Sequence, residues 1–261
     1  MIDRMLAIIR QEYYITKRSL EVIIDLFFFS SITIVVFGFV SKFLAGNANA
    51  TAAYYLLIGL VLWEIVRVGQ YSITVSVLWN VWSRNLSNIF VTPITAVEYL
   101  LALMLSSVIK SAVVLTILIC IVRFVFGFDI LRIGFGNLLL HYFNLTLFAW
   151  AIGILLTGII FRFGTRIQAL SWGFIFLFQP LSAALFPVAI LPSSIQKISH
   201  LVPATYVFES ARKNLTIPTT DWNSFFIAFV LNCIYLTIAF FFFFFLFKKS
   251  RQSGQFARNE G

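Results

Sequence analysis

Six apolar runs, at residues 22–43, 53–78, 99–122, 137–160, 168–190 and 222–247, constrain this chain more than any other feature. Each is close to the roughly 20 residues that a helix needs to cross about 30 Å of hydrocarbon. Inside hydrocarbon every backbone N–H and C=O needs a partner within the protein, so runs of this kind form helices. Composition agrees: 61% of the 261 residues are hydrophobic and 11% are charged, where a soluble domain carries about a quarter charged residues. The expected fold class is an all-α membrane protein, one domain over 1–261, with six transmembrane helices.

The net charge of +9 does not mark a nucleic-acid binder, because the bases form no single stripe. They gather at the ends of apolar runs, where they orient the chain. With both termini cytoplasmic, Arg4, Arg10, Lys17, Arg18, Arg84, Arg162, Arg166, Lys248, Lys249, Arg251 and Arg258 lie inside. The smaller set Lys42, Arg123, Arg132, Lys197, Arg212 and Lys213 lies outside, as the positive-inside rule requires. Residues 1–20 read as an interfacial amphipathic helix. Ile2, Met5, Leu6, Ile9, Tyr13 and Thr16 recur at helical spacing, with bases on the remaining surface. The segment lacks the continuous apolar core and cleavage site of a signal peptide.

Five of the six prolines fall between Pro180 and Pro218, a stretch that begins inside the fifth apolar run and ends outside it. Proline removes a backbone donor and clashes with the preceding turn, so the stretch is expected to break into short helices. Ser193 or Ser194 caps the first of these, with Ile195, Ile198 and Leu201 on one face, and Pro203 ends it. A second piece carries Tyr206, Phe208, Glu209 and Arg212, the last two spaced to pair. The segment 191–221 is then either an ordered outer loop or an outer re-entrant helical hairpin before the last span.

The inner loop, 79–98, holds a second constellation. Leu86, Ile89 and Phe90 form an apolar knob on a polar turn that ends at Thr92-Pro93. Such a knob suits a groove on a cytoplasmic partner or packs against the chain's own helices. Within the second span Glu64, Arg67 and Gln70 share one face, where an unpaired charge costs about 2.5–3.5 kcal/mol. They form an ion pair that fixes packing, or a polar stripe along a translocation path. Lys110 in the third span snorkels or faces the same interior.

Several weaker signals have plain readings. Ala149, Gly153 and Thr157 give the fourth span a small face for close helix contact, within or between subunits. Phe240 to Phe245 reads as lipid-facing bulk, and Cys120 and Cys233 as buried small hydrophobes. Asn49-Ala50-Thr51 and Asn214-Leu215-Thr216 match glycosylation acceptors, a pattern frequent by chance. The sequence contains no P-loop, no H-E-x-x-H and no Ser/His/Asp constellation, so no catalytic residue, cofactor or metal is assigned.

The arrangement of interfacial helix, six spans, helical inner loop and broken hairpin resembles the permease subunit of type-2 ATP-binding-cassette (ABC-2-type) exporters. The most specific part is Phe186-Pro187-Val188-Ala189-Ile190-Leu191-Pro192, then Leu201-Val202-Pro203-Ala204-Thr205-Tyr206, then Glu209 and Arg212. Arg84 through Pro93 followed by Glu98 is similar to the family's inner loop. The resemblance implies a half-transporter, pairing with a second copy or a paralogous permease and with a separate ATPase that carries ATP and Mg. It implies a multi-pass protein of a bacterial or archaeal plasma membrane. Coupling to the ATPase would fall to Arg84, Leu86, Ile89, Phe90, Thr92, Pro93 and Glu98, and an outer gate to Phe186, Pro187, Leu191, Pro192, Pro203, Tyr206, Glu209 and Arg212. Drug-exporter relatives often place a Gly before the Phe-Pro, where this chain has Leu181-Ser182-Ala183-Ala184-Leu185. The substrate is therefore left between amphipathic drugs and lipids or lipid-linked glycans. Two other classes stand beside this one: an ion-coupled carrier or channel using Glu64, Arg67 and Lys110, and a lipid- or glycan-acting enzyme using His200, Glu209 and Asp221.

Overall fold

A computed structural model describes residues 1–47 and 50–254. Asn49, the first residue of one acceptor triplet, and Arg258 lie outside the described residues. The described residues are helical and contain no strand.

The chain opens with α1 (Ile2–Arg18), which ends at Ser19. Ser19 accepts from the Val22 backbone N–H and so starts α2 (Leu20–Gly46), which contains a π-helical turn at Ile24–Phe28. Then follow α3 (Ala50–Trp82), the short α4 (Leu86–Val91), α5 (Ala96–Phe126) and α6 (Phe135–Phe163). The last part comprises α7 (Leu170–Leu181), α8 (Ser193–Ser199), α9 (Pro203–Asn214) and α10 (Trp222–Gln252). Local chemistry fixes the main boundaries. Thr95 and Glu98 form a reciprocal capping box at the start of α5. Gly127, at φ 69°, closes α5 in the left-handed conformation that glycine adopts at least cost. Asp221 caps α10 by accepting from the Ser224 backbone N–H at 3.1 Å.

Five helices, α2, α3, α5, α6 and α10, are long and apolar enough to cross a membrane. They form a bundle with two ends. The basal end joins Arg4 to Pro93, Phe90 to Phe247 and Arg162 to Ser253. The apical end joins Asn137 to Pro218 and Lys213 to Asp221. With 33 residues, α3 is about 50 Å long, so it overruns a 30 Å hydrocarbon layer and reaches α1 and α4 at its basal end. The centre of the bundle is α3 against α6, and here the small face of α6 is used within the chain. Ala149 approaches Gly69 so closely that a Cβ on the glycine would lie 2.9 Å from it, and Gly153 packs against Ile73.

The fifth apolar run, 168–190, differs from its expectation. It is not one long helix but the short α7, interrupted by a 3-10 stretch at Phe174–Leu177. Gly173 weakens this run, and Pro180 cannot donate to the preceding turn. The backbone then reverses at Ser182–Leu185, where Ala183 sits at φ 51°.

α1 packs part of its surface against the bundle, including Met5 and Ile9. Ile8, Glu12 and Ile15 turn towards the bundle, whereas Ile2, Leu6 and Tyr13 are exposed. Cys120 and Cys233 are exposed on the bundle's outer surface rather than buried, with free thiols. The phenylalanine run divides: Phe241, Phe242, Phe244 and Phe245 face outward, while Phe243 packs on Phe161 and over Gly158.

Candidate functional sites: a basal segment, a polar stripe and an apical turn

The basal segment begins where α3 ends. Arg84 takes a left-handed conformation, φ 54°, and Asn85 bonds back to Asn80 through both backbone and side chain. This turn sends α4 across the base of the bundle. Leu86 and Ile89 are buried in the core, and Phe90 packs edge-on against Tyr99, Phe161 and Phe247. The apolar knob therefore faces the chain's own helices. What α4 presents outward is Arg84, Asn88, Val91, Thr92 and Pro93, with Val91 87% exposed. Two clefts flank the segment, one of about 380 Å³ against α1 and one of about 600 Å³ against the end of α10.

α1 is tied to this segment. Arg4 donates to the Pro93 carbonyl and forms an ion pair with Glu98, both at 2.7 Å. Glu98 thus holds the start of α5 and the N-terminal helix together. Two turns further on, Gln11 donates to Asn80, and Glu12 accepts from Ser76 and pairs with Lys110 at 2.8 Å. Glu12 is 1% exposed. Lys110 neither snorkels nor joins the Glu64 stripe; its partner is a carboxylate that the sequence reading passed over. The signal for Glu12 was its place one turn after Ile8 on the face that packs.

The polar stripe sits higher on α3. Glu64 and Arg67 form an ion pair at 2.7 Å, and Arg67 also donates to Ser30 and to the Asp25 backbone carbonyl. Gln70 donates to Thr74 and to the Ser171 carbonyl of α7 at 3.0 Å. Tyr71 donates to the Asp25 carboxylate at 2.7 Å. The three predicted residues do share a face, and they line a cavity of about 310 Å³ between α2, α3 and α7. Asp25, also in that cavity, was legible as a carboxylate within the first apolar run.

At the apical end, Arg212 is 3% exposed and organises the chain between α7 and α9. It donates to the Ala183 and Ala184 carbonyls and to Glu209, the last at 2.9 Å. Glu209 in turn accepts from the Val188 backbone N–H at 2.8 Å. The pair spaced three apart in α9 thus satisfies the backbone freed where α7 breaks. Phe186, Pro187 and Leu191 are half-buried along this return, and Pro192 is exposed. Pro192, not a serine side chain, stands at the start of α8. Pro203 opens α9 at its first turn rather than ending α8, as its fixed φ and missing N–H favour. Tyr206 donates to the His200 carbonyl. The apolar face expected of α8 is exposed at Ile198 and Leu201, continuous in sequence with exposed Ile190.

Two of the three residues considered for an enzyme, Glu209 and Asp221, are engaged elsewhere. Glu209 accepts from the Val188 backbone, and Asp221 caps α10 and pairs with Lys213 at 3.1 Å. Burial raises the Asp221 pKa, but the Ser224 backbone N–H, Lys213 and the Ser224 hydroxyl outweigh it and hold the carboxyl below its usual range. Among the described residues no group of three or more His, Cys, Asp or Glu is arranged to hold a metal ion.

Comparison with protein families matches residues 4–216 to the family described as ABC-2 type transporter. None of the curated proteins compared matches the chain.

Proposed function

Because the chain belongs to the ABC-2 type transporter family, we propose that it is the membrane permease of an exporter driven by a separate ATP-binding-cassette ATPase. Two copies, or this chain and a paralogous permease, enclose the path of an amphipathic drug, lipid or lipid-linked glycan across the plasma membrane. Both termini and the basal end are cytoplasmic in this reading, supported by the bases that gather there. α7 and the α8–α9 hairpin together complete the sixth crossing, with the hairpin re-entering the outer leaflet through the exposed apolar face of α8. Residues 191–221 close the exit.

The observation that carries the reading is the build of α4. Its inner residues are rooted among α3, α5, α6 and α10, while Arg84, Val91, Thr92 and Pro93 project between two clefts. A partner seated there moves the spans by moving one short helix. Nucleotide shifts the transporter between two arrangements only if the nucleotide-bound ATPase binds them with different affinity. The Arg4–Glu98 and Glu12–Lys110 pairs make α1 part of the same lever. The test is assembly with the ATPase: Val91→Asp, which changes only an exposed position, should abolish co-purification of the ATPase without altering the permease's melting temperature. Undiminished co-purification and undiminished stimulation of ATP hydrolysis would remove the assignment of α4 as the docking segment.

A further inference from the structure

The cavity between α2, α3 and α7 has an uneven charge. Its walls carry the Asp25 and Glu64 carboxylates and one cation, Arg67. Arg67 is committed to Glu64 and Ser30, and it reaches only the backbone carbonyl of Asp25. Asp25 itself is met by the neutral Tyr71 hydroxyl on one oxygen, and no ion pair includes it among the described residues. It projects from the π-helical turn of α2, a helix irregularity that often marks a functional position. Gln70 Oε1 and Ser171 Oγ, both in buried residues of the cavity wall, have no hydrogen-bond partner. The remaining wall is mostly aromatic, with Phe29, Tyr71, Trp172 and Phe176 beside Thr33 and Ile175.

A net-negative, aromatic cavity with spare acceptors and no free cation disfavours an anion. It suits a cation, which gains both from the uncompensated carboxylate and from the negative faces of the rings. We infer that this cavity is a binding site for the cationic head of an organic amphiphile, with Asp25 as the counter-charge. The inference rests on the transport reading and narrows its substrate: the head group is an organic cation rather than a phosphate or sulfate. Phe29 and Phe176 are half exposed at the cavity mouth, where the apolar remainder of such a molecule lies along the bundle.

The experiment measures equilibrium binding of radiolabelled tetraphenylphosphonium to the full chain in lipid nanodiscs, with empty nanodiscs as background. Tetraphenylborate, of the same shape and opposite charge, is the second probe. The expected result is saturable phosphonium binding and no saturable borate binding. Asp25→Asn should weaken phosphonium binding about tenfold or more, with an unchanged melting temperature. Absence of saturable phosphonium binding, equal binding of borate, or full affinity in a folded Asp25→Asn variant overturns the inference. An Asp25→Asn variant that does not fold leaves the comparison of the two probes on the native chain to decide. No ATPase takes part, so the two readings fail separately. Cation binding without ATP-driven transport contradicts the permease proposal alone, and ATP-driven transport without cation binding contradicts this inference alone.

Discussion

Single residues hold this chain together by answering backbone and charge needs that apolar packing leaves open. Arg212 is the clearest case, since one guanidinium satisfies two carbonyls and a carboxylate where α7 breaks. Arg212→Ala leaves two carbonyls and a part-exposed carboxylate without their donor and should destabilise the protein by about 2–4 kcal/mol. Arg212→Lys, which cannot reproduce the fork, should recover only part of that in thermal melting. Gly59 packs beneath the same reversal, where an added Cβ would lie 2.0 Å from the Ala184 carbonyl oxygen. Gly59→Ala must shift backbone, so a loss of about 1–3 kcal/mol is expected, together with faster proteolysis within 182–192. Asp221 contributes through its cap and its pair with Lys213. Its pKa is depressed in the folded state, so this contribution is complete above the unfolded carboxylate value of about 3.9 and is lost as pH falls below it. Melting curves between pH 5 and 8 should therefore not change through Asp221.

At the scale of elements, the long helices were legible and the short ones only partly. The runs behind α2, α3, α5, α6 and α10 declare themselves because hydropathy is local and each helix satisfies its own backbone. The run behind α7 has the same composition, but composition does not record that Gly173 and Pro180 interrupt its hydrogen bonding. The sequence placed an apolar knob at Leu86, Ile89 and Phe90, yet an amphipathic pattern shows that a face is buried without showing what buries it. The docking of α1 depended on Glu12 finding Lys110 98 positions away, a pairing that no local window contains. That pairing makes a prediction about α1. Glu12→Met alone leaves Lys110 unpaired and should cost about 3–5 kcal/mol, whereas Glu12→Met with Lys110→Met should recover most of it. A double-mutant cycle followed by thermal melting measures the coupling. If the double variant is as unstable as the sum of the single ones, the pair does not dock α1.

For the whole molecule, the arrangement of parts suggests one mechanical path. α4 and α1 sit at the basal end, α3 runs the length of the bundle, and at its apical end Gly59 touches the backbone reversal that Arg212 organises. Between these ends α3 carries the polar stripe and one wall of the cavity. Under the proposed function, a displacement of α4 has a continuous element through which to reach residues 182–192. On the same proposal, the basal end is where an ATP-binding partner acts on a chain with no P-loop in its sequence. The most direct measurement is transport in sealed vesicles, containing the purified chain with or without its ATP-binding-cassette ATPase. The account predicts that a labelled amphipathic cation moves only when chain, ATPase and MgATP are all present, and that Val91→Asp abolishes the movement. Equal transport by the chain without the ATPase, or transport that follows a proton gradient and ignores ATP, would contradict it.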